Sequence, residues 1–369
     1  MGEPDLIWEE VLSLAARGTY STSPNPRVGA VVVAGDGTVV GRGFHDRAGG
    51  PHAETMALAE AGDRARGATL YVNLEPCAHQ GRTPPCSDAV VAAGVARVFA
   101  SLEDPDPRTS GRGLARLRKH GVETAVGGAA EAASRLNEAF LLSAVRGRPF
   151  VHLKWASSLD GKTAASSGAS KWITGQESRD DGLRLREECD AILVGSGTVR
   201  ADDPRLTRRL GLNRSILPHR KVVLDGDGRV DVGAAVFSPE EAGESWLFTC
   251  RDDADPSLEP FRERGVRVEA LTPGKAGFDL REVLLRLHQV EVRSVLVEGG
   301  GETAWSFLAA GLADRVTAYV APSLIGGRAA PTPLGGEGFP DVGMLPRLVG
   351  LDVIRVGEDL RISGRVSPP

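Results

Sequence analysis

"PHAET" (residues 51–55) and "LEPCAHQGRTPPC" (residues 74–86) bring a histidine, a glutamate and two cysteines into one short span of the chain. The first stretch reads as the mouth of a helix that runs on through "HAETMALAEAG" and ends at Gly62. In the second, "ATLYVNLEPC" is an apolar strand that delivers Cys77 just after Pro76. A neutral imidazole and two thiolates suit Zn²⁺, and three protein ligands, His52, Cys77 and Cys86, leave one position open for water. An ion held in this way lowers the pKa of its water, and Glu54, two residues past the histidine, is placed to shuttle the proton to a leaving amine. Other readings of the two thiols stay open: a closed structural zinc site with His79 as fourth ligand, a buried metal-free pair, or a disulfide. The compartment argues against the disulfide, because four cysteines in 369 residues make no disulfide framework and fit a reducing cytoplasm.

Outward from these motifs the chain alternates. Residues 5–18 form an amphipathic helix closed by Gly18, and "VGAVVVAGDGTVVGRGFH" shows two apolar runs joined by "GDG", the signal of a hairpin. "CSDAVVAAGV" is a helix from Ser87, "RVFASLEDPDP" a strand into a turn, and "GLARLRKHG" another helix. Strands alternating with helices predict an α/β fold. The short basic stretch "SAVRGRPF", broken by Gly147 and Pro149, marks a boundary that divides residues 1–147 from residues 148–369. A second β-rich series follows in "FVHLKWASSLDG", "CDAILVGSGTV", "KVVLD", "SWLFTC", "SVLVEGGGETAWSFLAAG" and "RVTAYVAPSLIGG". With 41% hydrophobic and 25% charged residues the composition is that of a globular protein with a core. A net charge of −5 leaves no basic footprint for a polynucleotide. The opening "MGEPDLIWEEVLSLAARG" is no secretory signal, and no apolar run is long enough for a bilayer, so neither nucleic acid nor membrane is an expected partner.

The spacing His-x-Glu…Pro-Cys matches the zinc nucleobase deaminases, but eight residues, "AHQGRTPP", separate the thiols where that pattern has two. Pro84 and Pro85 stiffen this excursion, which suits holding His79 and Arg82 over the open position as a clamp on a larger, more anionic substrate than a bare base. "SPNPRVGAVVV", "GFHDRAGGPHAE" and "EPCAHQGRTPPC" together resemble the deaminase domain of the bifunctional riboflavin-biosynthesis deaminase–reductase family, through most of residues 5–142. The resemblance implies that Asn25, His45, His79 and Arg82 meet the substrate, that His52, Cys77 and Cys86 hold zinc, and that Glu54 moves the proton. Members of that family have Lys in some cases where this chain has Arg82.

"HLKWASSLDGKTA", "KWITG", "ILVGSGTVRADDPRLTRR" and "LVEGGGETAWSFL" resemble the reductase half of the same family, over roughly residues 148–360 and loosely between 210 and 294. Alone, the glycine run is a turn that could place bare amides at an anion, and it is not the Gly-x-Gly-x-x-Gly of a Rossmann domain. The resemblance implies two three-layer α/β domains, a cytidine-deaminase-like zinc domain followed by a dihydrofolate-reductase-like domain that uses NADPH. By motif position, Ala156, Trp172, Thr198, Asp202, Gly226, Gly300, Gly301, Glu302, Thr303, Ala304, Trp305 and Ser306 would meet NADPH. Lys154, Ser170, Arg186, Leu206, Arg209 and Glu298 would meet the second substrate. The implied reactions are hydrolytic deamination of 2,5-diamino-6-ribosylamino-4(3H)-pyrimidinone 5′-phosphate and NADPH-dependent reduction of its ribosyl chain to ribityl, in a homo-oligomer, dimer or tetramer. Two rivals remain at this level: a cytidine- or tRNA-adenosine-type deaminase with an unrelated appendage, and a zinc-stabilised binding module without chemistry. The long interval between thiols and the second domain speak against the first, and Glu54 against the second.

Overall fold

The computed structural model of the protein describes residues 3–79, 84–107, 109–239, 243–273 and 277–367. The chain divides into two compact units, Met1–Gly147 with Leu212–Leu217, and Arg148–Gly211 with Pro218–Pro369.

The first unit is built on β1 (Gly29–Val33), β2 (Val39–Phe44), β3 (Thr69–Val72), β4 (Arg97–Ala100) and β5 (Glu123–Val126), in the order β2-β1-β3-β4-β5. β1 runs antiparallel to β2 and β3, while β3, β4 and β5 are parallel. The "GDG" turn closes the β1–β2 hairpin as expected, with Gly37 at φ 85°. Alternation along β1 sends Ala30 and Val32 to a core shared with Ala57, Val90 and Leu114 of three helices, and Val31 to the other face against Trp8 and Val11 of the helix Glu3–Ala16. Helices therefore cover both faces of the sheet. β2 meets the helix Ala53–Ala61 without room for side chains: a Cβ on Gly43 would lie 2.1 Å from the Ala53 carbonyl oxygen, and one on Gly41 2.0 Å from that of Ala57. That close approach seats the first helical turn, with Glu54, in the interior.

The second unit holds β6 (Phe150–Ser158), β7 (Ala191–Gly195), β8 (Arg220–Asp225), β9 (Glu244–Thr249), β10 (Arg267–Ala270), β11 (Ser294–Glu298), β12 (Arg315–Ala321), β13 (Arg347–Val356) and β14 (Asp359–Ser367). Their order is β10-β9-β8-β7-β11-β6-β12-β14-β13, parallel from β10 to β12, with β14 antiparallel to β12 and β13 to β14. Leu193 and Val295 pack on Val283, Leu287 and Phe307 on one face, while Ile192 and Val223 pack on Val199 and Phe261 on the other. After β6 the chain lays out β7 to β10 and then returns β11 between β7 and β6. Strand order reverses there, and a crevice beyond the carboxyl ends of such strands is the usual ligand site of an open α/β sheet.

Candidate active sites

His52 caps the helix Ala53–Ala61, Cys77 follows β3, and Cys86 opens the helix Cys86–Ala92. Their ligand atoms all lie within 4.8 Å of one another, with His52 Nδ1 3.1 Å from Cys86 Sγ and 3.7 Å from Cys77 Sγ. A tetrahedral zinc with ordinary Zn–N and Zn–S bonds needs donor separations of about 3.5–3.8 Å, so this donor set fits the ion after small adjustment. His79 does not join it; its Nδ1 lies 3.2 Å from Thr109 Oγ1. The closed four-ligand reading therefore has no support among the described residues, and both thiols are free of any disulfide. A hydrogen bond from Cys86 holds the Cys77 thiol well below the usual range, and sharing that proton pushes Cys86 up. Glu54 is buried beside the same cluster, and burial pushes its carboxyl up to about 7.

Asn25 and His45 lie side by side. The Asn25 side-chain amide donates to His45 Nε2 at 3.1 Å, and His45 Nδ1 donates to the Pro51 carbonyl at 3.0 Å. Burial lowers the His45 pKa, so the ring stays neutral, 5.2 Å from the His52 ring. Arg82 lies outside the described residues. Two buried residues that position this site carry no signature in the motifs. The Glu75 carboxylate accepts from the amides of Asp104 (3.2 Å), Gly111 (2.9 Å) and Leu114 (3.1 Å), which anchors the Pro76–Cys77 turn. Asn73 accepts from Gly29 N at 2.8 Å and donates to the Arg27 carbonyl at 2.9 Å, tying the entry of β1 to the end of β3.

In the second unit the Glu298 carboxylate, at the end of β11, accepts two hydrogen bonds from Arg186 of the helix Gln176–Glu188: Nε to Oε1 at 2.9 Å and Nη2 to Oε2 at 2.7 Å. Burial would raise Glu298, but the charges of Arg186, Lys154 and Arg209 outweigh it and hold the carboxyl down to about 2. Lys154, the β6 partner of Glu298 in register, has its ammonium 5.7 Å from the Tyr319 ring. Arg209 is exposed, with Nε 3.3 Å from Thr207 Oγ1. The Leu206 side chain is buried with Val199 and Phe237, and its carbonyl accepts from His219 Nε2 at 2.8 Å.

Gly299 and Gly300, at φ 82° and 76°, turn β11 into the helix Gly301–Ala309, and both glycines pack on Thr198 of the helix after β7. Thr303 packs on Gly195, while Ala304 is buried. Glu302, Trp305 and Ser306 are otherwise engaged. Glu302 Oε1 accepts from Gly336 N at 3.1 Å, the Trp305 ring packs on Phe339 at 4.9 Å, and Ser306 Oγ donates to the Glu302 carbonyl at 2.8 Å. Ala156 is half-buried near the end of β6, Gly226 is half-buried against Phe278 just after β8, and Asp202 is exposed. Ser170 is half-buried, and Trp172 is exposed with the Arg179 guanidinium 4.3 Å over its ring.

Two family models match the chain: "RibD C-terminal domain" over residues 149–362 and "Cytidine and deoxycytidylate deaminase zinc-binding region" over residues 4–102. Among curated proteins it is similar to "Riboflavin biosynthesis protein RibD" of Aquifex aeolicus, 45% identical over 85% of this chain and 86% of that one. The protein of that name from Escherichia coli is 42% identical over the same shares. Among solved structures it is similar to Acinetobacter baumannii RibD, with TM-score 0.87, 38% identity and 99% of each chain covered. A Thermotoga maritima diaminohydroxyphosphoribosylaminopyrimidine deaminase/5-amino-6-(5-phosphoribosylamino)uracil reductase matches with TM-score 0.84 and 35% identity, also over 99% of each chain.

Proposed function

The chain belongs to the RibD family, the bifunctional zinc-dependent deaminases and NADPH-dependent reductases of riboflavin biosynthesis, and from that premise we propose which residues perform each step. His52, Cys77 and Cys86 hold zinc, which when bound supplies an acidified water as nucleophile near neutrality. Glu54 takes the proton from that water and gives it to the departing amine of the pyrimidine. Asn25 and neutral His45 hold the edge of the ring, and His79 and Arg82 bracket the rest of the substrate. The substrate is 2,5-diamino-6-ribosylamino-4(3H)-pyrimidinone 5′-phosphate. The single observation that carries this half is the three-donor cluster with a buried carboxylate beside it.

In the second unit NADPH, when bound, would supply the hydride for reduction of the ribosyl chain and leave as NADP⁺. The backbone of residues 300–303, with Thr198, supports its binding at the reversal of strand order. Arg186 and Lys154 bind the anionic substrate, with Glu298 holding the Arg186 fork in place. Purified protein given the phosphorylated diaminopyrimidine should release one ammonia per substrate without NADPH, and should oxidise NADPH only after that release. Turnover of cytidine in place of this substrate would overturn the assignment.

No helix among the described residues is long and apolar enough to cross a membrane. A homo-oligomer is supported by β13, the outer strand of its sheet, which exposes Leu351, Val353 and Ile354. Sedimentation should find a dimer or tetramer, and Val353→Lys should shift it towards monomer. A wild-type protein that sediments as a monomer at micromolar concentration would refute this.

A further inference from the structure

Residues 212–217 lie within the span matched by the reductase family model, yet they pack as part of the first unit. The Arg214 backbone amide donates to the Tyr20 carbonyl at 2.7 Å, and Ser215 Oγ donates to the Ser23 carbonyl at 3.2 Å. The Arg214 guanidinium lies 3.5 Å from the Asp46 carboxylate. The hexapeptide is itself braced: Ser215 N donates to Asn213 Oδ1 at 3.0 Å and Leu217 N to Ser215 Oγ at 3.1 Å.

Each anchor falls beside a residue that would meet the pyrimidine. Ser23 is two residues before Asn25, whose amide nitrogen donates to the Thr22 carbonyl at 2.8 Å, and Asp46 follows His45. The two loops are already joined, because Ser21 Oγ donates to the Asp46 carbonyl. The Asn25–His45 hydrogen bond bridges the same two loops one step nearer the zinc ligands. Arg214 and Ser215 therefore hold the Tyr20–Ser23 loop at two carbonyls, and the Ser21–Asp46 hydrogen bond passes that restraint to the loop that carries His45. The exposed Arg214–Asp46 pair is worth little by itself, since screening removes most of its energy, so the two hydrogen bonds to carbonyls carry the restraint.

We propose that Arg214 and Ser215 are positioning residues of the deaminase site, fixing the Asn25–His45 pair through the carbonyls of Tyr20 and Ser23. The proposal rests on Asn25 and His45 being substrate contacts, and the test separates the two. In the full-length protein, Asn25→Ala and His45→Ala serve as references, and Arg214→Pro and Ser215→Ala remove the two donors. Each of the latter should raise the deaminase KM for the phosphorylated diaminopyrimidine several-fold. Zinc content, deaminase kcat and the reductase KM should stay near wild type, and Ser215→Thr should restore the deaminase KM. If the reference variants raise KM but Arg214→Pro and Ser215→Ala do not, the positioning role is wrong while the site stands. A loss of both activities together would reduce the segment to a folding element and overturn the proposal. Reference variants without effect would remove the site reading and the proposal with it.

Discussion

Replacing Glu54 with glutamine is expected to cut ammonia release by roughly 10²–10⁴-fold, the range a positioned general acid–base contributes, while zinc stays bound. Glutamine keeps the shape and polarity of the side chain but cannot accept and return a proton. The metal donors are elsewhere, on His52, Cys77 and Cys86, so metal analysis of Glu54→Gln should match the wild type. Cys77→Ser is the contrasting variant. It removes one of the two thiolates and should lose both zinc and deamination, because a serine hydroxyl is a poor ligand at neutral pH. The NADPH-dependent step, assayed with deaminated substrate, should survive in both variants, since the groups assigned to it lie in the other unit. Undiminished ammonia release from Glu54→Gln would end the assigned role. Loss of zinc from that variant would mean that the carboxylate serves the metal rather than the proton.

The zinc donors could be read from sequence because their chemistry is concentrated in two motifs and few residue types bind zinc. The sheet of each unit was legible where a strand is a short apolar run buried on both faces, as in β1, β7 and β8. Strands β5 and β10 are short and largely unburied, and β13 is almost wholly exposed, so neither face carries the apolar period that marks a strand. Glu75 was invisible as a structural residue because its partners are backbone amides at positions 104, 111 and 114, and an amide leaves no mark in a sequence. The same holds for residues 212–217, whose acceptors are carbonyls near the start of the chain. For the reductase the residues were named but their partnership was not. Arg186 and Glu298 both stood as substrate contacts, whereas the structure spends both oxygens of Glu298 on Arg186. Leu206 shows the converse: its position in a motif says nothing of which way its side chain turns.

Severing the Arg186–Glu298 pair should strongly destabilise the second unit. In Arg186→Met the carboxylate stays buried without its two strongest donors, and breaking a buried ion pair from one side typically costs about 3–5 kcal/mol. The pH dependence follows from the direction of the shift. Glu298 is held at about 2 against an ordinary 4.5, so its pairing stabilises the fold fully above pH 4.5, and that contribution fades as pH falls towards 2. In Arg186→Met the unfolding free energy should lose much of that slope. The double variant Arg186→Met/Glu298→Gln removes the stranded charge and should recover most of the stability, as replaced buried pairs often do. It cannot recover substrate binding. Without the guanidinium, the reductase KM should rise roughly 10–150-fold, the value of a hydrogen bond to a charged group. Denaturant unfolding and NADPH oxidation kinetics on the same three proteins separate the two effects. If the double variant regains stability and also keeps the wild-type KM, Arg186 is a structural residue and the anion must be bound elsewhere.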